Sequence, residues 1–286
     1  MEHLYKIVYS AKNQYSENVK EAVWQFLILP MENESQNLVR WSFENSLHTP
    51  YHISNSGLGF TTIRLHPKHV FREIEFQFEC ELIKTEQNPF DFIPSLNPEE
   101  EYITIDSLSF RSDNEIYLRK TDLSSLPKDH KSIFSFDRAQ SLFQNLLNLN
   151  DWVYHHLYFK TGVTDVTTPL KDIIDQRQGV CQDFAHLFCA IAKENGVPAR
   201  YVSGYIHQGG NFFGDLQMHA WAEVRLPDVG WIGFDPTNNI LVAQNHVKVC
   251  HGKDYGDCAP LKGVVFTTGA NTTAYSVRVQ SSQLQQ

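Results

Sequence analysis

The sequence predicts an α+β protein: an antiparallel β-sandwich-like domain first, then helices packed on an antiparallel sheet. Three observations carry this. Short alternating apolar runs recur through about the first 120 residues, a helical periodicity begins only after them, and strand-like runs then follow one another without intervening helices.

The early runs are Tyr5–Tyr9, Trp24–Leu29, Thr61–Leu65 and Phe76–Leu82, with turn-forming Asn55-Ser56-Gly57-Leu58-Gly59 among them. Near Leu123 the composition changes, and Ser124–His130 reads as a linker. It divides a β-rich domain over 1–125 from a core over 126–286 that includes the C-terminal strands. In the core, a helix is expected from Asp137 to about Lys160, with Leu142, Phe143, Leu146, Leu147, Trp152 and Val153 roughly on one face. Thr168-Pro169 opens a second helix, an N-cap followed by proline at the first helical position. A third runs from Cys181 to Asn195 and stops at Gly196-Val197-Pro198. Strands come next at Arg200–Ile206, His219–Leu226 and Trp231–Phe234, with Gly209-Gly210-Asn211-Phe212-Phe213-Gly214 as a flexible loop before the second.

A chain of 286 residues, 42% hydrophobic and 20% charged, can bury a full core in one large domain or two. Its 24 Lys and Arg against 33 Asp and Glu give a formal charge of -9, which repels phosphate backbones and anionic lipid. Nucleic acid and membrane surfaces are therefore excluded as expected partners. Met1-Glu2-His3-Leu4-Tyr5-Lys6 lacks the basic and apolar regions of a signal peptide, and no run nears the roughly 18 apolar residues of a membrane span. Five scattered cysteines fit reduced thiols, so a cytoplasmic protein is expected.

Three residues sit where covalent catalysis needs them. Cys181 begins the third helix, where the positive end of the helix dipole favours thiolate over thiol. At 100° per residue it shares a broad stripe with Phe184, Ala185, Phe188, Ile191 and Ala192, facing the later strands. Cys189, deeper in the same helix, reads as a buried hydrophobe. His219 opens one strand and Asp235 ends the next, before Pro236. Two antiparallel neighbours joined by a short turn bring those ends together. The carboxylate can then hold one ring nitrogen and leave the other for the thiol, in the order nucleophile, base, orienter.

The same residues carry a resemblance. Gly179-Val180-Cys181-Gln182-Asp183-Phe184-Ala185-His186, Pro198-Ala199-Arg200-Tyr201-Val202-Ser203-Gly204-Tyr205, His219-Ala220-Trp221-Ala222-Glu223 and Gly233-Phe234-Asp235-Pro236-Thr237 resemble the bacterial transglutaminase-like superfamily. The stretch Lys253–Gly263 resembles the segment after the triad in those proteins, and the opening strands around Tyr5, Tyr15, Pro30 and Gly59 resemble their N-terminal β domain. The resemblance implies a papain-like core using Cys181, His219 and Asp235 as a triad, in proteins described as cysteine proteases or transglutaminase-like enzymes. Two departures stand out: Phe159 where related sequences often have tyrosine, and the Cys250-His251 pair where small or apolar residues are more usual.

An oxyanion would meet the backbone N–H of Cys181, with Gln182 or Gln178 as the nearest side-chain amides. Trp221 is a candidate wall of the site, and Asp183 and His186 are candidate hydrogen-bond partners behind it. His246, Cys250, His251 and Cys258 lack the paired C-x2-4-C spacing of structural zinc sites, and Asp254 with Asp257 do not make a calcium loop. No metal and no cofactor is expected. The sequence thus points to a cysteine-dependent amide hydrolase, a protease or peptidase acting through a thioester on a peptide or protein amide. The alternatives are transglutaminase-type transfer to an amine, or a non-catalytic peptide-binding module.

Overall fold

A computed structural model describes residues 1–92, 97–207 and 217–284. The chain begins with β1 (Glu2–Val19), β2 (Glu21–Phe26), β3 (Gln36–Asn45), β4 (Tyr51–Asn55), β5 (Thr61–Leu65) and β6 (Phe71–Thr85). Odd-numbered positions of β1 from Tyr5 to Tyr15 are buried, the period-2 pattern of a strand with one face in a core. Asn55–Gly59 turns β4 into β5, with Gly59 at φ 86, a conformation glycine adopts without strain.

Helices appear sooner than expected: α1 (Pro98–Asp106), α2 (Leu108–Asp113) and α3 (Glu115–Leu118) lie where the β-rich reading still extended. The start is signalled locally, by Pro98 in the first turn and three glutamates after it. Tyr102 and Ile105 of α1 pack into the helical core. The expected linker is partly packed as well, with Ser124 and Leu126 buried.

Next come α4 (Leu142–His156), β7 (Tyr158–Phe159), α5 (Leu170–Gln176), β8 (Gln178–Gly179) and α6 (Cys181–Glu194). The chain continues as β9 (Ala199–Ile206), β10 (His219–Leu226), β11 (Gly230–Asp235), β12 (Ile240–Leu241), β13 (His246–Gly252) and α7 (Tyr255–Cys258). It closes with β14 (Leu261–Phe266) and β15 (Asn271–Gln283). The glycine-rich stretch 209–214 lies outside the described residues. Helix α6 is buried from Gln182 to Lys193 rather than along one stripe, because α4 and α5 cover the side that the sheet does not.

The sheets are antiparallel, in the orders β15-β1-β6-β3, β14-β2-β5-β4 and β12-β11-β10-β9-β13, beside a two-residue parallel pair β7-β8. The strands after residue 260, grouped with the second half in the linear reading, pair with the first: β15 with β1 over thirteen positions and β14 with β2. One apolar cluster runs from the sandwich into Tyr201, Tyr205, Ala220 and Val247 of the five-stranded sheet, and a second joins that sheet to the helices. Polar contacts reinforce the first junction. The Tyr205 hydroxyl donates to Ile28 O at 2.6 Å, and Gln36 Nε2 donates to Lys248 O at 3.0 Å. No helix among the described residues is long and apolar enough to cross a membrane.

Candidate active site

Cys181 is placed by the turn before α6. Arg177, at φ 53, ends α5 in the left-handed region, and Gly179 then pairs with Phe159. The Asp183 side chain, three residues beyond the N-cap position, accepts the Val180 N–H at 2.8 Å and the Thr164 hydroxyl at 2.6 Å. That satisfies one of the backbone donors a helix start leaves open. Position 179 has to be glycine, since a Cβ there would lie 2.5 Å from Asp183 Oδ2. Burial raises the Asp183 carboxyl to about 6, with its hydrogen bonds from Thr164 and Val180 pulling the other way. His186 is buried against Tyr201 and accepts the Tyr255 N–H at 3.1 Å. Asp183 and His186 are thus buried hydrogen-bond partners.

His219 enters from β10, opposite Gly204 of β9. A Cβ on Gly204 would meet Val247 O at 2.2 Å and Trp221 Cη2 at 2.5 Å, so glycine is what lets these strands close over the tryptophan. From the end of β11, Asp235 Oδ2 lies 2.8 Å from His219 Nε2. The pair is buried, at 2% and 0% exposure. The same oxygen lies 3.0 Å from Nε2 of His246, the first residue of β13, and accepts Asn238 Nδ2–H at 2.7 Å. Oδ1 accepts the Thr237 N–H at 3.1 Å.

Burial alone disfavours the His219 imidazolium. The Asp235 charge and hydrogen bond, with the Cys181 thiol beside the ring, outweigh it and hold the pKa up at about 10. Asp235, despite burial, stays well below the usual carboxylate range because both imidazoles face it. His246 goes the other way: burial pushes it down, against the pull of Asp235. A neutral His246 must then carry its proton on Nε2 to donate to Asp235. With Nε2 of His219 held, Nδ1 is the nitrogen left for the thiol, and it has no other partner among the described residues.

Cys181 and His219 line a cavity of about 640 Å³ between the five-stranded sheet and the sandwich. Its walls include Tyr9 and Tyr15 of β1, Trp24 of β2 and Tyr201 of β9. Gln182 lines it and holds Asp165 O only weakly, at 3.5 Å. Gln178 is outside this lining, in the short β7-β8 pair. Trp221 is also outside it, buried behind the site with its ring 5.2 Å from His246 and 6.3 Å from His219.

Of the residues checked for metal, only His246 reaches the site. His251 packs on Phe60 and lies 3.2 Å from Arg200 Nη1, and Cys250 and Cys258 are buried together away from it. His219, Asp235 and His246 offer ligand atoms within 4.8 Å of one another. Their mutual hydrogen bonds give each a partner in this arrangement. A sandwich packed beside the core is expected to wall a cleft at their junction; sequence reasoning missed which of its residues do so, and it missed His246 as an orienting group. Both depend on strand pairings remote in sequence, and no local motif marks them.

Comparison with known proteins gives a family match for part of the chain and a fold match for all of it. The transglutaminase-like superfamily model matches residues 135–236, a segment that contains Cys181, His219 and Asp235. An uncharacterized protein of Mycobacterium tuberculosis is 36% identical over 147 residues, 48% of this chain and 47% of its own. The chain therefore spans about half the length of that relative. A protein-glutamine gamma-glutamyltransferase of Pseudomonas aeruginosa is 32% identical over 74 residues, 24% of this chain and 11% of its own. A crystal structure from Cytophaga hutchinsonii, proposed to be a cysteine protease, superposes with a TM-score of 0.79 at 20% identity, over 100% of this chain and 92% of that one. The two share a fold. Over residues 135–236 the chain matches the transglutaminase-like superfamily model.

Proposed function

We propose that the protein is an amide hydrolase, a protease or peptidase in which Cys181, His219 and Asp235 act as a triad. The observation that carries the reading is the shared cavity mouth of Cys181 and His219, with the far ring nitrogen fixed by a buried carboxylate. In the reaction, Cys181 Sγ attacks the amide carbonyl carbon while His219 holds the proton. First-turn N–H groups of α6 face the developing oxyanion, since a helix start has donors without intrahelical acceptors. As the C–N bond breaks, His219 gives its proton to the leaving amine and a thioester remains. Water, deprotonated by His219, then releases the acid and restores the thiol.

Limited alkylation with iodoacetamide, mapped by peptide mass, tests the nucleophile. Cys181 is half-buried and lines the cavity, whereas the other four cysteines are buried. Burial pushes Cys80 up to about 12, with Glu81 adding to it, and burial pushes Cys189 to about 12 as well. Cys181 is expected to label first. A different cysteine leading the labelling would overturn the assignment. Incubation with an amide library should then leave an acyl mass on the wild type and none on Cys181→Ala. Transfer to an amine is the second reading, motivated by the name of the Pseudomonas relative. A product bearing an added alkylamine in preference to water would select it.

A further inference from the structure

The cavity has two unlike walls. On one side stand Cys181, His219 and the Thr161–Val166 segment, where Asp165 accepts from the Thr167 N–H at 2.8 Å and its hydroxyl at 2.7 Å. The other wall is built by the sandwich. Strand alternation turns Tyr9, Asn13 and Tyr15 of β1 inward, Trp24 comes from β2, and Leu261 and Val265 come from edge strand β14. Gly263, between the last two, keeps this wall flat: a Cβ there would lie 2.7 Å from Trp24 Cδ1 and 2.9 Å from Nε1.

No lysine, arginine, histidine, aspartate or glutamate lies among the described residues of the sandwich wall. A charged group seated against it would lose water and gain no ion pair. The polar groups there are differently placed. Asn13 Oδ1 accepts the Thr273 hydroxyl at 2.7 Å. The Tyr15 hydroxyl, on a residue only 6% exposed, has no hydrogen-bond partner among the described residues. That hydroxyl is itself closed to solvent, so what Tyr15 presents to the cavity is its ring.

We propose that this wall is the subsite for a large, uncharged side chain on the acyl part of the substrate, packed against Tyr15 and Trp24. The assignment rests on the cysteine chemistry proposed for Cys181. Pocket size, aromatic lining and the lack of charge among the described residues of this wall together select tyrosine-like, phenylalanine-like and leucine-like groups and reject lysine-like and glutamate-like ones.

The test uses N-acetyl-aminoacyl chloromethyl ketones carrying tyrosine, phenylalanine, leucine, lysine or glutamate side chains. In each, Cys181 Sγ forms a bond to the methylene carbon, the C–Cl bond breaks, chloride leaves and the thiol proton passes through His219 to solvent. Rates of the Cys181 adduct are read by intact mass and divided by the iodoacetamide rate of the same protein. The three uncharged reagents should lead the two charged ones by about tenfold or more. Val265→Glu, a change on an edge strand, should raise the lysyl rate over the glutamyl rate by about tenfold. Charged reagents reacting as fast as uncharged ones, in a protein whose Cys181 still takes iodoacetamide, would overturn the subsite alone. Failure of iodoacetamide itself at Cys181 would instead overturn the cysteine chemistry beneath it.

Discussion

Asp235 accepts from two buried imidazoles, an asparagine side chain and a backbone N–H. Removing it therefore does more than free the His219 ring, because both histidines lose the partner of a buried hydrogen bond. Asp235→Ala should cost about 3–5 kcal/mol of stability, measured by denaturant unfolding, as well as activity. For the proposed triad, His246 is a positioning residue with its own signature. His246→Ala should slow Cys181 alkylation about tenfold, and His246→Gln, which keeps an N–H donor, should recover most of it. An unchanged rate in the alanine variant would remove His246 from the chain of contacts. His219 also leaves a pH signature. Its pKa rises from 6.5 to about 10 on folding, so its contribution is fully present below 6.5 and lost as pH climbs to 10. Lys84, pushed down to about 8 by burial, slopes the other way above pH 8. The difference in melting temperature between wild type and His219→Gln cancels Lys84 and should shrink between pH 6.5 and 10.

At the scale of the element, the start of α6 is the most tightly specified local structure at the site. The tight approach at Gly179, the Asp183 side chain on the Val180 N–H and the Thr164 hydroxyl fix where Cys181 emerges. Loss of such a helix-start contact typically costs about 1–2 kcal/mol. Asp183→Ala should lower stability by that amount and slow Cys181 alkylation, because the first turn no longer has a fixed origin. Gly179→Ala should reproduce the alkylation defect by a different route, a collision with Asp183. A rate unchanged in both variants would mean that the thiol is held by other contacts. The helix boundaries themselves were legible: Gly196 and Pro198 end α6 within a residue of the expected stop. Its all-round burial was not, because periodicity reports the face toward one partner and α6 has partners on both sides.

Across the whole molecule, the chain leaves the sandwich at β6 and returns to it at β14 and β15. Lys84, at the end of β6, donates to Ala243 O at 3.0 Å and also to His246 O, so the first half reaches the backbone of the orienting histidine. A fragment starting near residue 126 lacks β1 and β2, leaving β14 and β15 without their sheet partners. Such a fragment should show no cooperative thermal transition by circular dichroism. Truncation after Gly269 should expose the edge of β1 and lower the melting temperature of the remaining chain. A sharp, wild-type-like melt in either case would show that the helical core is stable without the returning strands.

The part of this protein that its sequence determined by itself was local or carried by motif. It yielded the helix start at Cys181, the strand start at His219, the strand end at Asp235 and the alternation of the early strands, each written within a few neighbouring residues. The antiparallel pairing of β10 with β11 was legible too, because a short turn leaves little choice of geometry. The tertiary structure alone decided the rest. It brought His246 to Asp235, set Tyr15 and Trp24 across the cavity from Cys181, and sent the last strands back to the first. These contacts join residues from 11 to more than 200 positions apart through sheet register and a shared apolar core. Register is fixed by which faces are buried together, a property of the assembled sheets that no stretch of sequence carries alone.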